Sequence, residues 1–394
     1  MIETDILIIG AGIAGSAAAI KSSKNGANTI LIDRKSELGT PKRCAEGIPE
    51  SKMKKLELEI NPRWITQKIT AARIVSPDNT AATFYTQDLK TPETGYILER
   101  KVFDKHLTMQ AIRNGTKTYL RTEPTKIERI DKDNIIVTLK QENKTFQIKT
   151  HIIIAADGPE SLIARKFGLN TQTKLENMET GIQFEMTNLP LTNSNSIDFY
   201  FGDYAPGGYA WIFPKGDDIA NVGLEILPHL AKKSAYEYLN DFIELCPEVK
   251  DGQIVEINAG GNPVGGIIHE VITDNLLVVG DAAGCINPVT GGGIDTGIES
   301  GYEAGLTAAK AIKDKDYSKN NLKEYEEFID KGMRMKFKKV LKIKKFINES
   351  TDDELNNYAK IMQETSVENV SLQGILKALL KKSPKTLFKL RKLI

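Results

Sequence analysis

Near its start the chain reads Asp5-Ile6-Leu7-Ile8-Ile9 and then Gly10-Ala11-Gly12-Ile13-Ala14-Gly15. The apolar run is typical of a buried parallel strand, and the glycines allow a tight turn that a pyrophosphate can approach closely. Residues 14–24 are predicted to open a helix whose first amides face that pyrophosphate. A second predicted strand, residues 29–32, ends at Asp33, and an acid there suits a ribose hydroxyl. This order predicts a nucleotide-binding βαβ unit; the alternative is a tight strand–helix turn without a ligand.

A second glycine-rich segment lies far along the chain. It reads Leu276-Leu277-Val278-Val279-Gly280-Asp281-Ala282-Ala283-Gly284, and Gly291-Gly292-Gly293-Ile294 follows it. One glycine loop alone indicates only a dinucleotide. Two of them, at the two ends of the main body of the chain, predict one extended FAD that both segments bind.

The composition describes an ordinary soluble protein, with 394 residues of which 40% are hydrophobic and 27% charged. The chain has no window of about 18 uncharged apolar residues, so we expect no transmembrane helix. Because the first predicted strand starts near residue 5, we also expect no signal peptide. Cys44, Cys246 and Cys285 are widely spaced, so they predict neither a disulfide framework nor a zinc site. We therefore expect no metal and a reducing, cytoplasmic setting.

The net charge of +1 hides an asymmetry, because residues 331–394 hold 16 Lys and Arg against 6 Asp and Glu. Residues 375–394 alternate apolar clusters with seven cations and contain no acid. This pattern predicts an amphipathic segment in peripheral contact with the inner face of a membrane; the alternative is a solvated basic face that closes the substrate domain. No nucleic-acid motif accompanies the charge, so no nucleic-acid partner is expected.

The order of elements predicts an α/β fold, α+β overall: a Rossmann-type FAD-binding domain, an inserted antiparallel-sheet substrate domain and a helical C-terminal region. Residues 178–227 carry four alternating strands, which indicates a second, mainly antiparallel sheet. The predicted domains are residues 1–75, 95–175 and 260–315 for FAD, residues 76–94 and 176–259 for the substrate, and residues 316–394 for the basic helical region.

Several motifs together carry a resemblance to known proteins. The first glycine loop, Arg100 with Phe103-Asp104, Asp157-Gly158 and Gly280-Asp281 follow the order used by FAD proteins of the para-hydroxybenzoate hydroxylase superfold. Two further segments, Lys42-Arg43-Cys44-Ala45-Glu46-Gly47 and Gly208-Tyr209-Ala210-Trp211-Ile212-Phe213-Pro214-Lys215-Gly216, resemble the geranylgeranyl reductase family. The family loop usually has a glycine where this chain has Ala45, whereas the Tyr-x-Trp-x-Phe-Pro pattern matches in full.

The resemblance implies a set of cofactor-binding residues. In the superfold the late aspartate, here Asp281, binds the ribityl or pyrophosphate region, and the helix start near Gly293 approaches the flavin. Arg100 is placed against the phosphate or adenosine; the alternative is a surface salt bridge. The expected FAD-binding residues are Gly10, Gly12, Ala14, Gly15, Asp33, Cys44, Ala45, Gly47, Arg100, Pro124, Asp281, Gly293 and Ile294.

The aromatic strand is the candidate substrate-binding element. Tyr209, Trp211 and Phe213 alternate, so they project from one face of a strand. They can line an elongated apolar tunnel for a polyprenyl chain, or they can simply pack a core between sheet and helices. The family resemblance favours the tunnel.

The implied reaction is the saturation of C=C bonds of geranylgeranyl chains in archaeal-type membrane ether lipid precursors, by hydride from N5 of reduced FAD and a proton. The candidate proton donors and catalytic residues are Cys44, Glu46 and Tyr209. Cys44 can also be inert or touch the cofactor only by its backbone, and Glu46 can cap a helix near Pro49. No second dinucleotide fingerprint is found, so we expect an external electron donor: NAD(P)H, ferredoxin or a deazaflavin. The alternatives are a monooxygenase or halogenase of the same fold, or a membrane-associated electron-transfer flavoprotein.

Overall fold

The structure is a computed structural model that describes residues 1–89 and 93–364. The predicted amphipathic segment, residues 375–394, lies outside the described residues. The chain divides into two compact units. Unit 1 comprises Met1–Lys42, Arg100–Thr173 and Pro263–Lys339; unit 2 comprises Arg43–Glu99, Lys174–Asn262 and the chain from Val340 on.

The strands and helices are numbered in chain order. The strands are β1 (Ile2–Glu3), β2 (Ile6–Ile9), β3 (Thr29–Ile32), β4 (Gly47–Pro49), β5 (Ile65–Ile69), β6 (Ala71–Val75), β7 (Ala81–Tyr85), β8 (Gly95–Leu98), β9 (Lys117–Tyr119), β10 (Thr122–Arg129), β11 (Ile135–Gln141), β12 (Lys144–Thr150), β13 (Ile152–Ala155), β14 (Met178–Thr187), β15 (Ser196–Tyr200), β16 (Tyr209–Pro214), β17 (Ala220–Ile226), β18 (Gln253–Pro263), β19 (Ile272–Thr273) and β20 (Leu276–Val278). The helices are α1 (Ile13–Lys24), α2 (Glu50–Lys55), α3 (Arg100–Arg113), α4 (Leu162–Lys166), α5 (Ala235–Leu245), α6 (Ile294–Asp314), α7 (Lys323–Ile329), α8 (Met335–Asn348) and α9 (Asp352–Gln363).

Unit 1 is built on a six-stranded sheet in the order β19-β20-β13-β2-β3-β9. Its strands run parallel from β20 to β9, and only β19 pairs antiparallel. Strands β2, β3 and β13 are buried along their whole length, as expected for apolar strands covered on both faces. A four-stranded sheet, β1-β12-β11-β10, completes the strands of this unit. The predicted βαβ unit is therefore confirmed.

Unit 2 is built on a seven-stranded sheet in the order β18-β14-β17-β16-β15-β6-β7. The pairs β14–β17, β17–β16, β16–β15 and β6–β7 are antiparallel, and β15–β6 is parallel, so the prediction of a mainly antiparallel sheet is confirmed. One face packs its apolar residues against α5, which starts at a capping box of Ser234 and Glu237. Strands β4, β8 and β5 form a small separate sheet.

The units differ from the predicted domain boundaries. The structure assigns residues 43–75 to unit 2, because β6 pairs with β15 and thus joins the seven-stranded sheet. Residues 316–339 belong to unit 1, and the described residues that follow, 340–364, belong to unit 2. Helices α7 and α8 are joined by a π-helical turn at Asp330–Arg334. Among the described residues, no helix is long and apolar enough to cross a membrane.

Candidate active site

The first glycine loop has the shape that a phosphate requires. Gly10 has φ +106, and a Cβ there would lie 2.1 Å from the carbonyl oxygen of Ala156. A Cβ on Gly15 would lie 1.8 Å from the carbonyl oxygen of Gly10. A Cβ on Gly12, by contrast, would meet nothing within 4 Å, and no side chain caps the helix that starts there. The first amides of α1 thus have no side-chain cap, and an anion placed near them would be stabilised by the helix dipole.

Asp33 closes this loop from the end of β3. One carboxylate oxygen accepts a hydrogen bond from the Ala11 amide at 2.7 Å, and the other accepts one from the Lys35 amide at 2.8 Å. The side chain is buried. Each oxygen keeps a second lone pair, so the carboxylate can hold the loop and still accept a ribose hydroxyl.

The second glycine segment brings Asp281 to the start of α6. A Cβ on Gly293 would lie 3.4 Å from the Asp281 Oδ1, and Gly293 starts α6 with no side-chain cap. Asp281 is exposed to solvent, but many protein atoms lie around its carboxyl group. The resulting desolvation raises the pKa of this carboxyl group, whereas the charge of Arg100 lowers it. Arg100 itself forms two hydrogen bonds, at 2.7 and 3.0 Å, with Asp104 one turn along α3. An accessible acid in a recess beside an arginine is suited to a polar ligand.

A stripe of glycines on α6 joins the two segments. Gly301 and Gly305 lie very close to α1. A Cβ on Gly301 would come 2.2 Å from the carbonyl oxygen of Ala14, and a Cβ on Gly305 would come 2.4 Å from that of Ala18. Gly297 packs one turn earlier against Ile13. Because no side chains separate the helices, the uncapped N-termini of α1 and α6 lie in the same part of unit 1. The spacing of four between these glycines was a readable signal that the sequence analysis did not use.

The remaining predicted cofactor residues of unit 1 have mainly structural surroundings. Ala14 is buried, and a Cβ on Gly280 would lie 2.7 Å from its methyl group. Ile294 is buried at the first turn of α6. Pro124 lies half-buried at an irregularity of β10. Ala14 and Ile294 therefore shape the starts of α1 and α6.

In unit 2, side-chain hydrogen bonds fix the loop that contains Cys44. Gln183 Nε2 donates to the Cys44 carbonyl oxygen at 3.2 Å, and Asn221 Nδ2 donates to the Ala45 carbonyl oxygen at 3.3 Å. The Glu46 amide donates to the Cys44 Sγ at 3.1 Å. The Cys44 side chain is partly exposed, so the loop presents its sulfur while its backbone is held. Gly47 follows, where a Cβ would lie 3.2 Å from the Phe213 ring.

Glu46 belongs to a buried charge cluster centred on Lys215. The Lys215 Nζ lies 2.9 Å from Glu46, 2.8 Å from Glu99 and 2.9 Å from Glu185. The Glu46 side chain is 0% exposed and the Lys215 side chain 4%. The three carboxylates raise the pKa of Lys215 well above its usual value despite burial, so the amine stays charged. Helix capping by Glu46, one of the alternatives, is not observed, since α2 starts after Pro49 without a side-chain cap.

The three aromatic residues of β16 form a cluster on the face of the sheet opposite α5. Tyr209, Trp211 and Phe213 are all buried, and the cluster also contains Ile69 and Ile97. Partly buried Phe199 and Phe201 of the β15 side pack against it, with ring centroids 5.4–5.7 Å from those of Tyr209 and Phe213. An aromatic wall of this kind is apolar and tolerates positive charge.

A hydrogen-bond chain connects this wall to the Cys44 loop. Trp211 Nε1 donates to Gln183 Oε1 at 3.1 Å, and Gln183 Nε2 donates to Asn221 Oδ1 at 3.0 Å. Asn221 Nδ2 then donates to Glu46 Oε2 at 2.8 Å. A Cβ on Gly223 would lie 2.5 Å from the Trp211 ring, so the glycine lets the indole lie across β17. The ring and the loop are thus held in one fixed arrangement.

The fold and the dinucleotide site of unit 1 define a FAD-dependent oxidoreductase, and a family model described as FAD dependent oxidoreductase matches residues 5–164. A second model, the geranylgeranyl reductase catalytic domain, matches residues 177–262. The chain belongs to the geranylgeranyl reductase family, in the branch of digeranylgeranylglycerophospholipid reductases. The predictions of fold class, family, FAD and enzyme activity are therefore confirmed.

Three similar proteins illustrate this membership. Digeranylgeranylglycerophospholipid reductase 3 of Methanosphaera stadtmanae is 54% identical, with 100% of this chain and 99% of the relative covered. Digeranylgeranylglycerophospholipid reductase 1 of Methanothermobacter thermautotrophicus is 47% identical, with 99% and 98% covered. The crystal structure of a geranylgeranyl bacteriochlorophyll reductase-like protein from Thermoplasma acidophilum has a TM-score of 0.94 at 31% identity, with 100% of both chains covered.

Sequence reasoning named the Cys44 loop and the aromatic strand but not the polar residues that hold them. Gln183 on β14 and Asn221 on β17 are both buried, and a polar residue at a buried strand position was the signal available. Lys215 stands in the quoted motif, but its partners are distant in sequence. Two further acids on the same face, Glu179 and Glu225, were also missed.

Proposed function

We propose that the protein reduces C=C bonds of the geranylgeranyl chains in archaeal-type digeranylgeranylglycerophospholipid precursors. The observation that carries this proposal is the aromatic wall of Tyr209, Trp211 and Phe213, which lies within the residues that match the geranylgeranyl reductase catalytic domain. Gln183, in the same matched range, connects this wall to the Cys44 loop by hydrogen bonds. An isolated alkene has no carbonyl to take up developing charge. A dry, aromatic surface that orients the chain and tolerates a cation is therefore the environment that the reaction requires.

The residues of unit 1 would hold the cofactor through general physical features. The α1 amides after Gly12 favour the pyrophosphate, Asp33 accepts from a ribose, and Asp281 beside the start of α6 accepts from the chain between ribose and ring. Bound FAD in its reduced form supplies a hydride to one alkene carbon. The residues of unit 2 then have two tasks, which are to exclude water from the chain and to deliver a proton to the other carbon.

The experiment that tests this function is anaerobic. The flavoprotein is reduced, unsaturated digeranylgeranylglyceryl phospholipid is added, and flavin absorbance and lipid mass are followed. We expect flavin reoxidation and a gain of two hydrogens per reduced double bond, while the fully saturated lipid leaves the flavin reduced. A flavin that only oxygen or a quinone reoxidises would refute the proposal and favour a monooxygenase or an electron-transfer flavoprotein.

We propose further that the electrons come from an external donor that binds transiently. The basis is the sequence, which has one dinucleotide fingerprint and uses it for FAD. Three donors are to be compared at equal concentration: NAD(P)H, a reduced ferredoxin and a reduced deazaflavin. The donor is the one that reduces the flavin at a rate at least equal to lipid turnover; if none does, the external-donor proposal is wrong.

We propose finally that the protein is cytoplasmic and contacts the inner face of the membrane through residues 375–394. Its support is the seven cations without an acid in that segment, each contributing about 1 kcal/mol near an anionic surface. Flotation with anionic and neutral vesicles compares the full chain with one ending at residue 374. Equal flotation of the two proteins would refute the proposed membrane contact through residues 375–394.

A further inference from the structure

Two acidic side chains share the polar part of the sheet face in unit 2. Glu179 lies on β14 and Glu225 on β17, and the two strands pair with Gly181 opposite Glu225. A Cβ on Gly181 would lie 3.1 Å from the Glu225 Cγ and 3.3 Å from its Oε1. The missing side chain at Gly181 thus lets Glu225 lie over β14 toward Glu179, two residues along the same face.

The pair has too little positive charge for both acids to be ionised cheaply. Lys344 Nζ lies 2.5 Å from Glu179 Oε1, and Asn262 Nδ2 donates to Glu225 Oε1 at 3.0 Å. Glu179 is 3% exposed. Burial and the neighbouring Glu179 raise the pKa of Glu225, whereas Lys344 lowers it; burial likewise raises the pKa of Glu179. Within the part of the chain that the structure describes, one bonded cation faces two carboxyl groups, which favours a state in which the pair keeps one proton.

Tyr209 is the residue of the aromatic wall that the strand register brings beside this pair. It lies directly opposite Glu225 in the β16–β17 register, on the same face. Its ring centroid is 5.7 Å from that of Trp211 and 5.5 Å from that of Phe199. Burial, followed by the charges of Glu225, Glu179 and Cys44, raises the pKa of the Tyr209 hydroxyl well above its usual value. The hydroxyl therefore stays neutral and can donate one proton only while it receives another.

We propose that the Glu179–Glu225 pair stores the proton that completes alkene reduction, and that the Tyr209 hydroxyl passes it to the carbon. This inference rests on the proposed function. The alkene gains one hydrogen as hydride and the other as this proton. As the new C–H bond forms, the Tyr209 O–H bond breaks and is remade from the Glu225 carboxyl group, so no phenolate accumulates. Glu225, which is partly exposed, then takes a proton from water.

The sharpest test changes the two neighbours of Glu225 in opposite senses. Glu179→Gln removes a negative charge, so the pKa of Glu225 falls and the basic limb of activity moves to lower pH. Lys344→Met removes a positive charge, so the basic limb moves to higher pH. The measurement is single-turnover flavin reoxidation by the lipid across pH. Structural damage alone would slow both variants without opposite shifts, and shifts of the same sign would overturn the proposal.

Removing the acid itself gives the second arm. Glu225→Gln should slow lipid-dependent reoxidation about 100-fold, the lower end of what general acids contribute, and Tyr209→Phe should do the same. The matched control is Glu176→Gln, an exposed acid of the same unit that should leave the rate unchanged. A Glu225→Gln rate equal to wild type, with an unchanged pH profile, would refute the inference.

A spectroscopic readout separates this inference from the proposed function. Infrared difference spectra between low and high pH should show the C=O band of a protonated carboxyl group that disappears in Glu225→Gln. This band needs no lipid and no turnover. If wild type shows the band but never reduces lipid, the proposed function fails and the proton pair stands. If the band is missing while lipid is reduced, the proton pair fails alone. Should Glu225→Gln not fold, the opposite shifts above decide.

Discussion

The charge cluster around Lys215 allows a quantitative prediction about unit 2. In Lys215→Met the carboxylates of Glu46, Glu99 and Glu185 lose the amine that lies 2.8–2.9 Å from each. Removing one partner from a buried ion pair costs about 3–5 kcal/mol because the remaining charge stays desolvated. Water can partly reach Glu99 and Glu185, which are 27% and 19% exposed, whereas Glu46 is 0% exposed. We therefore expect the free energy of unfolding to fall by about 3 kcal/mol, the lower end of this range.

The assay follows urea unfolding by tryptophan fluorescence. The chain has two tryptophans, Trp64 and Trp211, and both lie in unit 2, so the signal reports on the unit that holds the cluster. The variant should also respond to pH. Its unneutralised carboxyl groups bind protons more readily in the folded than in the unfolded state, so its stability should rise as pH falls from 7 to about 5 and the deficit should shrink.

The matched control is Lys233→Met. Lys233 and Asp241 form an ion pair in the same unit with side chains 51% and 49% exposed, and exposed pairs contribute little. The reasoning is wrong if Lys215→Met unfolds at the same urea concentration as the control. It is also wrong if the deficit of Lys215→Met is the same at both pH values, because a packing loss alone would not depend on protons.

Three further changes test the rest of the site. Gly223→Ala should push the Trp211 ring away, shift its fluorescence and lower the free energy of unfolding by about 1–3 kcal/mol. The control is Gly216→Ala, where a Cβ would meet nothing within 4 Å, so neither change is expected. Gly301→Ala should separate α1 from α6 and weaken FAD binding at least tenfold in a titration. Cys44→Ala should lose less than tenfold in lipid-dependent reoxidation, and a larger loss would make the thiol the proton donor.

The sequence was sufficient for those parts of the fold that depend on local pattern. Strands β2, β3 and β13 are mainly apolar runs, and the glycine spacing after β2 predicts a tight turn into a helix. The edge strand β18 was missed because its residues alternate weakly and it contains Gly260 and Gly261. The assignment of residues 43–75 to unit 2 has a different origin: the pairing of β6 with β15 joins residues more than 100 positions apart, and no local signal encodes it.

The candidate site also has a part that local pattern predicts and a part that depends on long-range contacts. Alternation places Tyr209, Trp211 and Phe213 on one face, which is a local property and was predicted. The cluster around Lys215 gathers residues from positions 46, 99, 185 and 215. The Glu179–Glu225 pair joins residues 46 positions apart, which the pairing of β14 with β17 brings together. Partners of this kind follow from tertiary structure, so the chemistry they perform cannot be read from spacing alone.

Strand β16 shows why stability and chemistry are hard to separate in this protein. Ala210 and Ile212 belong to the apolar cluster under α5, while Tyr209, Trp211 and Phe213 form the wall on the opposite face. A slip of one residue in the register of β16 would exchange its two faces and turn the aromatic side chains toward α5. The core under α5 therefore fixes the register, and the register places Tyr209 opposite Glu225. Mutations in that core should therefore slow the proposed proton delivery before they abolish folding, because a small shift of β16 changes the position of Tyr209 relative to Glu225 first.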